Sequence, residues 1–530
     1  MRCLNRLPLL VVLLLASATG PESATAQTPS PPVTEQVTGA NDRAAAVSQV
    51  APPAVEAPAA TAPPAWLVVP FVVLLLMIAT GPLFYAEFWH HHYPKVAVGL
   101  GLLVAAYYLF VLRDGASVHH ALAEYGSFIA LLAALFVASG GILIETDFAG
   151  TPRANTILLV AGAVLANLIG TTGASMLLIR PYLRLNAGRI RPYHIVFFIF
   201  IVSNVGGSLT PIGDPPLFLG FLRGVPFFWT VEHLWYIWLP AVAFLAAVFY
   251  VVDRRNTKKS AREVVPEEWL EDDLTATEAD AATTIPGPTR FRIVGGRNFA
   301  WLAAVIACVF VDPTVIAAVP DLVRDYHLPL GLREMLMLGI AFLAYRTADP
   351  LALRGNGFTF APIKEVAWLF VGIFLTMQPA LKLIGVFAQQ NASALTLNHF
   401  YFGTGMLSGV LDNAPTYVSF LAAAMAKFGL SIDSVAQVRE MAAGTVPGAL
   451  ESWHYVQAIS IASVFWGAFT YIGNGPNFMV KSIADDAGIE TPSFFGYVFR
   501  YAIPVLLPLY LLTWLIFFSG WIFNLHRAPL

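Results

Sequence analysis

The sequence predicts an all-α polytopic membrane protein of two inverted repeats, each with a re-entrant hairpin and a discontinuous transmembrane helix. Three observations carry this expectation. Of 530 residues, 57% are hydrophobic and only 12% charged, with a mean hydropathy of +0.68, too apolar a balance for a soluble surface. Apolar runs of membrane-spanning length recur from residue 66 to residue 521. And one motif occurs twice: Thr210-Pro-Ile-Gly-Asp-Pro-Pro-Leu-Phe218 aligns without a gap on Thr470-Tyr-Ile-Gly-Asn-Gly-Pro-Asn-Phe478.

The chain opens on Arg2 and Arg6 before the apolar run Leu7 to Ala16, with Ala24-Thr25-Ala26 as a small-residue cleavage site. Residues 1–26 are therefore expected to be an export signal, and residues 27–65, rich in Ala and Pro, a disordered tether on the outer side. The first transmembrane half is expected over 66–252, with crossings at 66–84, 95–112, 126–147, 192–222 and 231–252. A charged linker, 253–297, follows. The second half, 298–530, offers crossings at 298–319, 330–346, 364–388, 453–482 and 496–521. Stretches 154–183 and 398–429 carry Gly170 to Ser175 and Leu411 to Thr416 at their middles, where a helix reversing would make a hairpin.

Charge sets the orientation. With residue 27 outside, five crossings bring Arg254, Arg255, Lys258 and Lys259 to the inside, along with Arg153, Arg184, Arg189 and Arg191. Outer loops keep fewer, among them Arg113, Arg223, Arg333 and Arg439. The positive-inside rule thus predicts a cytoplasmic linker and an inner-membrane protein. An odd number of crossings between the halves makes the second repeat upside down. Trp66, Trp229, Trp235, Trp238 and Trp453 fall near crossing ends, as an aromatic belt would.

A helix is broken in hydrocarbon only beside protein or water, because unpaired backbone groups cost several kcal/mol there. Paired broken helices in two halves point to a secondary transporter, with its site near the midplane. Their free carbonyl ends suit cations and their free N–H ends suit anions. Ser203, Asn204, Thr210 and Asp214 in one half, and Asp412, Asn413, Thr416, Thr470, Asn474 and Asn477 in the other, supply hard oxygens for a cation such as sodium. Asp214 and Asp412 matter most, since isolating an ionisable side chain in a membrane costs about 2.5–3.5 kcal/mol or more. The alternative for both is a helix N-cap satisfied by its own backbone. Asp412 ranks first as the exchange carboxylate, its Asp-Asn pair standing at a hairpin tip.

Other readings are set aside. His90-His91-His92 reads as an interfacial run, Glu145 and Asp147 as a membrane edge, and Lys364-Glu365 as an interfacial pair. There is no Walker loop, no His-Glu-x-x-His and no Gly-x-Ser-x-Gly, so neither an enzyme nor an ATP-driven pump is expected. Two cysteines, Cys3 and Cys308, make no disulfide framework or thiolate metal site. No cofactor and no nucleic-acid partner are expected; the lipid bilayer and small ions are.

On "SNVGGSLTPIGDPP", "GVLDNAPTY" and "TYIGNGPNFMVK", the chain from Trp66 onward resembles the ion transporter superfamily, specifically NhaD-type sodium/proton antiporters and citrate-transporter-like (CitMHS-like) permeases. The resemblance implies a homodimer, cation and proton handling at Asp214 and Asp412-Asn413, and ion or substrate contact at Ser203-Asn204 and Asn474-Asn477. Antiporters of this type carry an Asp-Asn pair in the first hairpin. Here the tip is Thr171-Thr172-Gly173-Ala174-Ser175, closer to the carboxylate transporters. That departure weakens the antiporter assignment, but with Asp214 and Asp412-Asn413 in the motifs sodium/proton antiport is still expected first. Cation-coupled uptake of citrate or a similar carboxylate is the alternative, with Thr171, Thr172 and Ser175 as anion contacts; Arg180 either serves the anion or snorkels to the inner surface. An uncoupled channel comes third.

Overall fold

The computed structural model describes residues 63–146, 150–263, 291–313, 316, 318–320, 322–326, 328 and 330–520. The expected signal, nearly all of the tether, Asp147 and linker residues 264–290 lie outside them. The first half contains α1 (Val69–Phe84), α2 (Ala86–Tyr107), α3 (Gly115–Gly140), α4 (Pro152–Leu185), α5 (Pro192–Ile201), α6 (Pro215–Arg223) and α7 (Trp229–Glu263). The second contains α8 (Arg297–Val309), α9 (Leu322–Tyr326), α10 (Leu332–Thr347), α11 (Pro350–Gly355), α12 (Ala361–Gln390), α13 (Leu397–Ser408), α14 (Asn413–Lys427), α15 (Val435–Ala443), α16 (Ser452–Trp466) and α17 (Gly475–Asp486), then a last span, Phe494–Phe518. Six of the described helices are long and apolar enough to cross a membrane. The chain is a multi-pass, all-α integral membrane protein.

Both expected hairpins form. A straight α4 would be about 51 Å long at 1.5 Å per residue, yet Asn155 and Asn186 at its two ends exchange side-chain hydrogen bonds of 2.8 Å. The reversal is at Gly170, whose φ of 79° and ψ of 154° an L side chain resists. α13 and α14 fold back likewise, with Phe400 against Phe420 and Lys427 bonded to the Ala392 carbonyl.

The two broken helices lie at the centre. In α5 every residue from Tyr193 to Ile201 is buried, and α16 is nearly as enclosed. A helix apolar on all sides must be surrounded by protein or lipid, and these are surrounded by protein. α1 and α2 instead present Val69, Leu76, Leu102 and other large apolar side chains outward. Packing separates two groups of helices. α4–α7 and α13–α17, which bear both hairpins and both breaks, pack on one another across the halves: α6 on α14 and α16, α17 on α4 and α5. A frame of α1–α3, α8, α10 and α12 packs on itself and borders that group mainly through α3 and α12.

Three expectations are corrected. The third crossing does not run helically to 147. α3 stops at Gly140, and Leu143–Thr146 forms strand β1, paired antiparallel with strand β2, Phe291–Val294. The helix ends at the Gly140-Gly141 pair, and the carbonyls of Ala138 and Gly140 accept from Asn298 and Asn356, as does that of Ile142 from Asn356. The segment 253–297 is not all linker, for the same reason and because α7 continues to Glu263. Trp229 and Trp238 are not belt residues: both are buried, and the Trp238 indole donates 2.9 Å to the Gly206 carbonyl inside the first break.

Candidate functional site

The breaks are built the same way twice. α5 gives way to a 3-10 turn, Val205–Gly207, before α6; α16 gives way to Gly467–Phe469 before α17. In the first break Thr210 Oγ1 donates 2.5 Å to the carbonyl of Asn167, in the hairpin before it. In the second, Thr470 Oγ1 donates 2.7 Å to the carbonyl of Gly409, again in the preceding hairpin. Each break also folds a glycine onto a glycine. A Cβ on Gly213 would stand 2.0 Å from the Gly207 carbonyl oxygen, and one on Gly473 would stand 2.7 Å from that of Gly467. Neither position accepts a side chain without moving backbone.

Asp214 and Asn474 then occupy the N-cap positions of α6 and α17 in extended backbone, and neither side chain caps its helix. Proline at the start of each helix removes a donor that a cap would have used. The side chains turn to each other instead. Asp214, 1% exposed, accepts from Thr171 Oγ1 (2.7 Å) and Asn474 Nδ2 (3.0 Å) at one oxygen and from Asn413 Nδ2 (2.6 Å) at the other. Its three donors come from the first hairpin, the second break and the second hairpin. Asn474 Nδ2 also reaches Asn204 Oδ1 at 3.2 Å, and Asn204 Nδ2 donates 2.6 Å to Asn477 Oδ1. Asn477 in turn closes the second break through the carbonyls of Gly467 and Thr470. Ser203 joins through its carbonyl to Asn474 (3.3 Å) and through its hydroxyl to Ser175 (2.8 Å).

The cluster thus gathers Thr171, Ser203, Asn204, Asp214, Asn413, Asn474 and Asn477, with Ser175 at its edge. Thr210 and Thr470 shape the breaks from behind. Thr172 is half-buried, and Thr416 bonds back to the Asp412 carbonyl in its own helix. Asp412 is the helix cap: its Oδ1 accepts 3.0 Å from the Ala414 N–H. The capping alternative therefore describes Asp412 and not Asp214. Arg180 reaches Gly357, between α11 and α12.

Asn167 was missed. Its Nδ2 donates to the carbonyls of Ala163 and Gly206, and its Oδ1 accepts from Leu209 N–H, so one side chain pins the first break to the first hairpin. An asparagine in an apolar helical arm, three residues before the Gly170 reversal, was the available signal.

The charge state of the cluster is unusual. Buried carboxylates are normally matched by a cation or a bound metal. Asp214 meets neutral donors, and among the described residues no lysine or arginine forms an ion pair with it. Asn413 Oδ1, also buried, has no hydrogen-bond partner.

Comparison with known families fits this architecture. The family described as "Putative citrate transport" matches residues 60–518, which spans both hairpins and both breaks. The chain belongs to that family. No curated protein matches the sequence. Family and membrane-spanning helices together support a secondary transporter of the ion-transporter type.

Proposed function

We propose that this chain is a sodium/proton antiporter of the inner membrane. It works by alternating access between inverted halves, with sodium and proton competing for Asp214. The observation that carries the reading is a buried carboxylate held only by neutral donors from three separate elements, beside the orphaned oxygen of Asn413. Such a group requires a proton or a cation for balance. A proton and a sodium ion cannot share it, and that exclusion suffices for exchange. The Asp214 carboxylate and Asn413 Oδ1 offer a hard cation the oxygen ligands it prefers. Matching geometry in the two breaks supports the repeat, and the positive-inside pattern supports its inversion.

A second reading, cation-coupled uptake of citrate or a similar carboxylate, is favoured by the family match and by the hydroxyls of Thr171, Thr172 and Ser175. In it the Asp214 cluster holds the driving cation. Proteoliposomes separate the two. Antiport is expected to appear as sodium-dependent collapse of an imposed pH gradient. Accumulation of labelled citrate without such collapse would select uptake, and a conductance independent of any gradient would reject both.

The orientation has its own test. Protease added outside intact cells should leave residues 264–290 uncut, while inside-out vesicles should be cleaved there. Excising that stretch should change the transport rate less than about twofold, since its charge density and lack of an apolar face set it apart from the site. Cleavage in intact cells would overturn the topology and the inversion with it.

A further inference from the structure

The helix that starts at Asp214 ends at an ion pair. Arg223, in the last turn of α6, is 3% exposed and grips Glu124 of α3 with two contacts, Nε to Oε1 at 2.6 Å and Nη2 to Oε2 at 2.8 Å. Its Nη1 donates 2.8 Å to Asp433, in the turn after α14. One guanidinium therefore joins the first broken helix, the base of the second hairpin and the frame. The Asp433 contact lies within the site-bearing group. The Glu124 contact crosses to the frame. His120 stands 3.6 Å from Glu124 on the same helix.

Beside this pair lies a cavity of about 200 Å³, whose lining includes Glu124, Ser127, Leu222, Asp312, Arg333 and Glu334. The lining has further ion pairs, Arg333 to Asp312 and to Glu334 at 2.6 Å, and Glu334 accepts from Ser127 at 2.9 Å. That second network lies wholly within the frame and its loops. Packing around the end of α6 is thus open on one side, where a close-packed interior would resist displacement.

We propose that Arg223–Glu124 is a latch between the site-bearing helices and the frame, holding one of the two access states. Release of Glu124 leaves Arg223 on Asp433, so the buried guanidinium keeps a partner while α6 moves. A buried charge stripped of every partner would be prohibitive; this one holds two carboxylates and gives up only one. A bidentate arginine–carboxylate contact also fixes direction as well as distance, which suits a docked position. The inference rests on the secondary-transport reading but not on which cargo is carried.

The test uses the full-length protein in proteoliposomes with Leu222→Cys as reporter, labelled by a membrane-impermeant maleimide from each face in turn. The same protein without the reporter corrects for buried Cys308. Glu124→Gln and Arg223→Gln are each expected to shift the ratio of labelling from the two faces by about tenfold, within the usual range of coupling between states. The double variant should shift it no further than either single one. Glu124→Asp, which keeps the charge but shortens its reach, should give an intermediate shift. Asp433→Asn, which removes the partner that Arg223 keeps on release, should shift the ratio in the opposite direction. An unchanged ratio in Glu124→Gln or Glu124→Asp, or single effects that add, would overturn the latch. So would a loss of thermal stability with the ratio intact, which marks a purely structural pair. None of these outcomes bears on Asp214, whose reading stands or falls on ion exchange.

Discussion

Asp214→Asn is expected to abolish coupled transport in a protein that still folds and inserts. A unit charge acting on a cation at about 4 Å, at an effective dielectric constant of about 20, is worth about 4 kcal/mol, or roughly a thousandfold in affinity. Replacing the carboxylate removes that attraction and the exchangeable proton together. The fold has a way to adjust. An amide at 214 sets an N–H against one of the three donors, a mismatch of about 1–3 kcal/mol if unrelieved. Turning Asn413 relieves it, because its unpartnered Oδ1 can then accept. Asp412→Asn should behave otherwise, since an asparagine caps a helix about as well as an aspartate. Its transport should stay within about threefold of the parent. Sodium-dependent proton flux in proteoliposomes, with size-exclusion profiles as the folding control, reads both variants. Normal exchange in Asp214→Asn with an unchanged pH profile would remove the carboxylate from the mechanism.

That order reverses the one drawn from sequence, and the reason is local. Both aspartates precede proline-containing helix starts, and sequence alone does not say which finds a backbone N–H to cap. Asp412 has Ala414 within reach, whereas Asp214 is followed at once by Pro215-Pro216 and turns outward to other elements. The breaks themselves were legible because the same pattern recurs at Thr210–Phe218 and Thr470–Phe478, which glycine and proline kinks alone do not require. Asn413 and Asn474 were legible because the repeat sets an amide where its partner half has Asp214 and because Asp412-Asn413 stands at a tip. The Arg223–Glu124 and Arg223–Asp433 pairs were not, since their partners lie 99 and 210 residues apart and each charge alone reads as a loop residue. Strand β1 hid at the end of an apolar run and β2 in the charged linker, as Asn167 did inside a helical arm.

Gly213→Ala should be the most damaging substitution of a small residue in either break. Its Cβ would stand 2.0 Å from the Gly207 carbonyl oxygen and 3.1 Å from Asn167 Oδ1, and the first of these is backbone that cannot rotate away. Gly213 also holds the hairpin in place: its carbonyl accepts 2.7 Å from the Thr171 N–H, next to the hydroxyl that meets Asp214. Relieving the clash therefore displaces Thr171 and the carboxylate at once. Overpacking of this kind costs about 1–3 kcal/mol and sometimes more, and here the upper end is expected because two backbone segments collide. The detergent-solubilised variant should melt several degrees lower and exchange no ions. Gly473→Ala, with carbonyl oxygens of Gly467 and Ser408 at 2.7 Å, should follow in the same direction with a smaller loss. Gly475→Ala is the control from the same motif. Nothing lies within 4 Å of a Cβ there, and α17 begins at that residue. Alanine should be neutral or raise the melting temperature slightly, by virtue of its better helix propensity. If Gly213→Ala and Gly475→Ala melted and transported alike, the first break would not be packed against the hairpin at Gly207 and Thr171, and Asp214 would lose the support that places it between the halves.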